Sequence, residues 1–107
     1  MREPPTWLIN ILRRFVAEAE KLLGSVEVYL FGSYARGDWL EDSDVDLIVV
    51  SPAFRGLDVG KRYSIVRRFL PKDMGFEILT YTPEEFEEAK RRSVVLQDAM
   101  KYWIKIE

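Results

Sequence analysis

Apolar and polar residues repeat with different periods in different parts of the chain, and these periods predict its secondary structure. Between residues 6 and 23, apolar side chains recur every three to four positions and charged side chains fill the opposite side, which is typical of an amphipathic helix. Gly24 ends this predicted helix. Residues 26–31 and 76–81 are rich in β-forming residues and predict strands, and the continuous apolar run 45–50 predicts a buried strand.

Local start and stop signals place the remaining elements. Asp58 is a candidate cap for a basic amphipathic helix that Pro71 closes, and Thr82 with Glu85 forms the pattern of a capping box with Pro83 at the first helical position. These signals predict a connection over 33–43 that contains one helical turn, a helix over about 60–70, a helix from 83 to about 92, an amphipathic segment over 94–102 and a last strand at 104–106. The order α-β-β-α-β-α-α predicts an α/β fold in which a small mixed β-sheet is flanked by helices.

Composition narrows the chemistry more than the fold. With 107 residues, the sequence is short enough for a single domain spanning 1–107. It contains no Cys and no His, which excludes disulfides, thiolate nucleophiles, cysteine-based zinc sites and imidazole ligands. Any chemistry therefore uses carboxylates, hydroxyls, Lys, Arg and backbone amides, and this set of groups suits hard cations such as Mg²⁺.

Net charge and hydropathy set expectations about partners and location. The net charge of −2 leads us to expect no direct nucleic-acid binding by the domain as a whole. The polar N-terminus lacks the pattern of a secretory signal, and no apolar run is long enough to span a membrane. We therefore expect a cytoplasmic protein with no membrane contact.

Two aspartates follow a glycine-serine pair at a spacing that indicates a metal and phosphate site. Asp44 and Asp46 are two positions apart at the predicted strand 45–50, so their carboxylates project from one face. Gly32 lets the backbone approach a phosphate closely, and Ser33 offers a hydroxyl and an N–H group. Two carboxylates aimed at a triphosphate form the arrangement of a two-metal site. Outside such a site, like charges on one face of a buried strand repel each other and lose hydration.

Three other interpretations compete for these residues. The simplest is a strand turn followed by a solvated acidic loop, but the second Gly-Ser pair, at Gly24, lacks a pair of aspartates at the equivalent spacing. The glycine spacing is also that of a Walker A loop, yet Asp38 and Trp39 stand where Lys and Ser or Thr are required. The acidic run 42–46 imitates the opening of an EF-hand, but Leu47 replaces its glycine. The metal and phosphate site is the interpretation that fits.

Two segments of the chain resemble a known family. The stretch Gly-Ser-Tyr-Ala-Arg-Gly at 32–37, followed by Ser-Asp-Val-Asp-Leu at 43–47, is similar to the minimal nucleotidyltransferases of the DNA polymerase β superfamily. The resemblance covers nearly the whole chain, including the helix before the first strand and the segment 81–86. It implies a DNA polymerase β-like nucleotidyltransferase fold.

The resemblance also implies roles for individual residues. Asp44 and Asp46 would hold Mg²⁺, with two ions expected, and Gly32 with Ser33 would bind the triphosphate of ATP. A third carboxylate belongs on the following core strand, where Glu77 is the candidate for completing the metal site and activating the acceptor hydroxyl. The family more often uses Asp at this position, and the alternative is an edge-strand Glu that faces water.

Several basic and aromatic residues have two open interpretations. Arg36 either neutralises a β- or γ-phosphate or pairs on the surface with Asp38 or Glu41. The basic residues around the predicted helix 60–70 either face an anionic partner or simply contact water. They are Lys61, Arg62, Arg67, Arg68 and Lys72. The aromatic residues either cover a partner surface or pack in the core. They are Trp7, Trp39, Tyr102 and Trp103.

The resemblance implies an activity and a partner. Free minimal domains of this family are similar to the antitoxin halves of two-component modules whose toxin is a helical HEPN-domain RNase. The expected reaction transfers AMP from ATP to a tyrosine hydroxyl of that toxin, in a hetero-oligomer, with release of pyrophosphate. The alternative is a non-catalytic nucleotide- or partner-binding antitoxin that neutralises its partner by contact.

Overall fold

Four strands form one mixed sheet in the computed structural model, which describes residues 2–107. The strands are β1 (Glu27–Phe31), β2 (Val45–Val50), β3 (Phe76–Tyr81) and β4 (Ile104–Lys105), and their order across the sheet is β3-β2-β1-β4. β1 is antiparallel to both of its neighbours, whereas β2 and β3 are parallel. A parallel pair needs a long crossover connection, which the segment between β2 and β3 supplies.

Within residues 2–107, five helices and one 3₁₀ turn accompany the strands. They are α1 (Thr6–Leu23), α2 (Ser33–Arg36), the 3₁₀ turn Pro52–Phe54, α3 (Val59–Arg67), α4 (Pro83–Arg92) and α5 (Val94–Ala99). The predicted start signals are confirmed. Asp58 accepts a hydrogen bond from the N–H of Lys61, and Thr82 and Glu85 form a reciprocal capping box at α4.

Both faces of the sheet are covered, and each has its own apolar core. One face packs against α1, α2 and α3, and the other packs against α4 and α5. Because successive strand residues point to opposite faces, Val45, Leu47 and Val49 enter the first core, whereas Ile48 and Val50 enter the second. The predicted α/β class, with a small mixed sheet flanked by helices, is confirmed. No helix in residues 2–107 combines the length and the apolar character needed to cross a membrane.

Two helices are shorter than the sequence predicts. α3 ends at Arg67 instead of near residue 70, and the N–H groups of Phe69 and Leu70 bond to the carbonyls of Val66 and Arg67 in a turn. The guanidinium of Arg67 donates to the carbonyls of Pro71 and Met74 in the loop before β3. α5 ends at Ala99 instead of 102, where the N–H groups of Tyr102 and Trp103 both bond to the Ala99 carbonyl in a turn. Strand boundaries differ from the prediction by one residue at the start of β1 and at the end of β4.

The basic residues around α3 divide into two groups. Arg62 is buried and binds the Glu85 carboxylate through two nitrogens, with the shorter distance at 2.6 Å, and it also donates to the Leu57 carbonyl. Arg67 binds the loop carbonyls described above. Lys61, Arg68 and Lys72 are exposed. The row of cations read from the sequence is therefore not one surface, since two of its members hold the fold together.

Candidate active site

All six residues predicted to form the site line one cleft of about 710 Å³ at the end of β1 and the starts of β2 and β3. They are Gly32, Ser33, Arg36, Asp44, Asp46 and Glu77. The opposite wall comes from α5 and the turn after it, and its members are Val94, Val95, Asp98 and Tyr102. Residues from four separate parts of the chain thus meet in a single open cleft.

Strand pairing aligns two of the carboxylates. Asp46 pairs with Phe31 of β1 on one side and with Glu77 of β3 on the other. Directly paired side chains point to the same face of a sheet, so Asp46 and Glu77 both face the side covered by α4 and α5. Glu77 is exposed, as expected for the alternative interpretation of an edge-strand Glu that faces water, but its side chain lines the cleft.

Asp46 lies in the most crowded electrostatic environment of the cleft. Partial burial of its carboxyl group, a hydrogen bond with the Glu77 carboxyl group and the negative charges of Glu77 and Asp44 together raise the pKa of Asp46 to about 7. The positive charge of Arg36 acts in the opposite direction. A carboxyl group in this position gains stability from anything that brings positive charge, whether a proton or a cation.

The glycine bend at the end of β1 lies directly against Asp46. Gly32 has a φ of +72°, a conformation that side-chain-bearing residues rarely adopt. A Cβ atom added at Gly32 would lie 1.8 Å from Oδ2 of Asp46. Only glycine lets the backbone of the bend and this carboxylate come so close. α2 begins at the next residue, Ser33, so the predicted phosphate-binding bend and the predicted metal ligand are immediate neighbours.

A second glycine, Gly75, lies directly against Asp44, and the sequence analysis did not single it out. A Cβ atom added at Gly75 would lie 2.0 Å from Oδ1 of Asp44, and the Gly75 carbonyl accepts a hydrogen bond from Val45 N–H at 3.0 Å. Gly75 immediately precedes β3. A glycine at that position can mark a close approach of another chain segment, and this was the one signal available in the sequence.

Arg36 has two partners at the mouth of the cleft. Its Nε donates to Oδ2 of Asp38 at 3.2 Å, which is one of the two surface pairings considered from the sequence. Within residues 2–107 it makes no ion pair with Glu41. Its Nη1 donates to the Tyr102 hydroxyl at 3.2 Å. The side chain of Arg36 is nevertheless 43% exposed, so it remains accessible to an anion entering the cleft.

The donor chemistry of the cleft fits a hard divalent cation. The side chains of Asp44, Asp46 and Glu77 offer only carboxylate oxygens, the ligands that Mg²⁺ prefers. In residues 2–107, no group of three or more carboxylates is arranged to hold a metal ion by itself. Mg²⁺ sites commonly use one or two carboxylates and take their remaining oxygens from water and substrate phosphates. The cleft therefore fits a site in which protein carboxylates and substrate phosphates together bind the cation.

Comparison with known proteins places this cleft in a family. The sequence model of the nucleotidyltransferase domain matches residues 9–102, which include every residue of the predicted site. Two solved structures described as putative nucleotidyltransferases have a similar fold. One, from Sulfolobus solfataricus, is 28% identical with a TM-score of 0.63 and covers 77% of this chain and 73% of its own. The other is 28% identical with a TM-score of 0.53 and covers 75% and 87%.

Relatives with more specific names match a shorter segment. "Putative protein adenylyltransferase MJ1305" of Methanocaldococcus jannaschii is 46% identical over 46 residues, which is 41% of this chain and 31% of the relative. "Putative protein adenylyltransferase MJ0141" of the same organism is 42% identical over 45 residues, which is 40% of this chain and 46% of the relative. The matched segment thus spans less than half of either relative. The nucleotidyltransferase fold expected from the motif at 32–47 is confirmed.

The raised pKa of Asp46 predicts an unusual pH dependence of stability. Between pH 4 and pH 7 the folded chain retains a proton on Asp46 that the unfolded chain releases, so the free energy of unfolding falls as the pH rises through this window. Asp46→Asn should remove this loss of stability and should stabilise the metal-free protein at pH 8 by about 1–2 kcal/mol. This value is smaller than the full pKa shift would give, because solvent screens a partly exposed group. Urea unfolding at pH 5 and pH 8 measures the effect. The exposed Asp42→Asn serves as control and should follow the wild type, and equal pH profiles for Asp46→Asn and wild type would contradict the interpretation.

The contact of Gly75 with Asp44 predicts a functional loss without a matching loss of stability. In Gly75→Ala the new methyl group displaces the Asp44 carboxylate, which is exposed and free to move, so the unfolding free energy should change by less than about 1 kcal/mol. Because Asp44 is a predicted metal ligand, this displacement should weaken Mg²⁺-dependent ATP binding by about tenfold or more. Gly60→Ala is the matched control, since its nearest atom, Oδ1 of Asp58, lies 3.5 Å away in ordinary contact. Unchanged ATP binding in Gly75→Ala would show that the position of Asp44 is unimportant.

Proposed function

Because this chain belongs to the nucleotidyltransferase domain family, we propose that it transfers AMP from ATP to a hydroxyl group of a protein. One observation carries the proposal more than any other. The Gly32 bend lies against the Asp46 carboxylate, in the same cleft as Asp44 and Glu77. This contact puts a backbone able to approach phosphates closely next to carboxylates able to share a cation with those phosphates.

Five residues of the cleft have a definite part in the proposed transfer. Gly32 and Ser33 bind the phosphates of ATP, and Asp44 and Asp46 would hold Mg²⁺, with Glu77 completing the ligand set. When bound, the divalent cation supplies positive charge that offsets the charge developing on the phosphate oxygens. The protein provides no covalent nucleophile, because positioning and charge are sufficient for this type of reaction.

The acceptor hydroxyl attacks the α-phosphorus of ATP. A new bond forms between the acceptor oxygen and this phosphorus, the bond from the α-phosphorus to the bridging oxygen of the β-phosphate breaks, and pyrophosphate leaves. Glu77 accepts the hydroxyl proton, since its carboxylate is exposed to the cleft next to Asp46.

Two observations support a protein as the acceptor. The relatives from Methanocaldococcus jannaschii carry the name "Putative protein adenylyltransferase". In addition, Val94 and Val95 at the rim of the cleft are 79% and 54% exposed, so an apolar surface is available beside the site for a macromolecular substrate to cover. Following the resemblance to toxin–antitoxin modules, the proposed acceptor is a tyrosine of a HEPN-domain toxin, and the chain acts as its antitoxin.

Mass spectrometry of the partner tests the proposal. The chain is incubated with ATP, Mg²⁺ and the product of its neighbouring gene, and the intact mass of that product is then measured. We expect the mass of one or more AMP groups to be added by the wild type and by Asp42→Asn, whose carboxylate lies outside the cleft, and not by Asp44→Asn. Asp44→Asn should reduce the rate of AMP transfer at least about a hundredfold, since it removes a carboxylate proposed to hold Mg²⁺.

The alternative function gives a different result. A non-catalytic antitoxin would neutralise its partner equally well as wild type and as Asp44→Asn, with no added mass in either case. That outcome would refute AMP transfer and leave the fold and the family unaffected.

A further inference from the structure

A tyrosine on the far wall of the cleft contacts Arg36, the one cationic side chain that lines the cleft within residues 2–107. The Tyr102 hydroxyl accepts a hydrogen bond from Nη1 of Arg36 at 3.2 Å and lies 3.4 Å from Oδ2 of Asp98, to which it donates. The Arg36 guanidinium carbon also lies 5.5 Å from the centre of the Tyr102 ring. Neither Tyr102 nor Asp98 was assigned a function by its sequence pattern, and Tyr102 was left open between packing and a partner surface.

The position of Tyr102 is set by rigid parts of the fold. The N–H of Tyr102 and that of its neighbour Trp103 both bond to the carbonyl of Ala99, which is fully buried. The Trp103 ring packs 4.5 Å from the ring of Tyr29 on β1. Trp103 therefore anchors the turn that carries Tyr102 to the sheet. The anchored turn holds the Tyr102 hydroxyl where it can orient the flexible side chain of Arg36 through a hydrogen bond.

A hydroxyl inside a transferase cleft is a candidate acceptor, but the contacts of Tyr102 favour a different role. An attacking oxygen must approach the α-phosphorus roughly in line with, and opposite to, the departing pyrophosphate. Tyr102 is hydrogen-bonded to Arg36, the last residue of the helical turn that begins at the Gly32–Ser33 bend. The proposed function assigns the phosphates of ATP to this bend, and under that assignment Tyr102 lies on the leaving-group side of the site.

We propose that Tyr102, held by Asp98, is a positioning residue that presents Arg36 to the β- and γ-phosphates of ATP and to the pyrophosphate that leaves. This inference rests on the proposed function of the cleft. Asp38 has the opposite effect, because its carboxylate bonds to Nε of Arg36 at 3.2 Å and competes with the phosphates for the same cation. The two neighbours of Arg36 therefore affect triphosphate binding in opposite directions.

Binding measurements on a small set of variants test this. The dissociation constants of ATP and AMP are measured by calorimetry in Mg²⁺ for the wild type and for Tyr102→Phe, Asp38→Asn and their controls. Tyr102→Phe should weaken ATP binding by about fivefold and AMP binding by less than about twofold, because only ATP carries the phosphates that Arg36 reaches. Asp38→Asn should tighten ATP binding by about two- to threefold.

Two control variants separate positioning from general effects. Tyr63→Phe removes a hydroxyl from an exposed tyrosine on α3 and should leave both dissociation constants unchanged. Asp42→Asn removes the same charge as Asp38→Asn from the same loop without touching Arg36, so it should tighten ATP binding less than Asp38→Asn does.

Each remaining outcome overturns the inference. Equal weakening of ATP and AMP in Tyr102→Phe would indicate a general packing role, and equal effects of Asp38→Asn and Asp42→Asn would indicate only long-range charge. AMP attached covalently to Tyr102, detected by peptide mass spectrometry after incubation with ATP, would show that the tyrosine is an acceptor. A wild type that binds no ATP refutes the proposed function and this inference together, whereas normal ATP binding in Tyr102→Phe refutes this inference alone.

Discussion

Repulsion between carboxylates held close together is the constraint around which this structure is arranged. Asp46 is paired in register with Glu77, hydrogen-bonded to it and exposed to the charge of Asp44, so without a cation its carboxyl group retains a proton to about pH 7. Such crowding lowers the stability of the folded chain, and a proton or a divalent ion relieves it. Strongly raised carboxyl pKa values in a cleft are typical of functional sites, which is the basis for interpreting this cleft as a candidate metal-dependent active site.

The fold keeps these carboxylates in place by fixing the strands that carry them. β2 is covered on both faces, with Leu47 buried in one core and Ile48 buried in the other. A shift of β2 by one residue would exchange these faces and bury a carboxylate in the first core, so the register is strongly specified. The glycines then set the closest contacts. The Asp46 carboxylate lies against Gly32 and the Asp44 carboxylate lies against Gly75. A Cβ atom at either glycine would overlap the neighbouring carboxylate. Packing and backbone freedom thus act together at one edge of the sheet.

The elements of the fold and most residues of the candidate site could be predicted from the sequence. Two residues of the site and the burial of Arg62 could not, for physical reasons. The bend at Gly32 and the aspartates at 44 and 46 lie close together in the chain, so their spacing carried the information. Gly75 and Tyr102 join the site only through the pairing of β2 with β3 and the turn after α5, and no sequence spacing links them to residues 32–46. Periodicity also could not show that Arg62 is buried against Glu85, because its neighbours Lys61 and Arg68 are exposed and give α3 the pattern of a solvated basic helix.

We propose that Asp44, Asp46 and Glu77 share a cation with a triphosphate that lies against the Gly32–Ser33 bend, which would give the crowded carboxylates a function. A crystal structure of the chain with Mn²⁺ and a non-hydrolysable ATP analogue tests this most directly, because anomalous scattering locates the metal independently of the protein atoms. We expect the anomalous peak to lie between the carboxylates of Asp44 and Asp46, with phosphate oxygens in contact with both the metal and the bend. A metal bound away from these two aspartates, or a triphosphate bound outside this cleft, would contradict the interpretation.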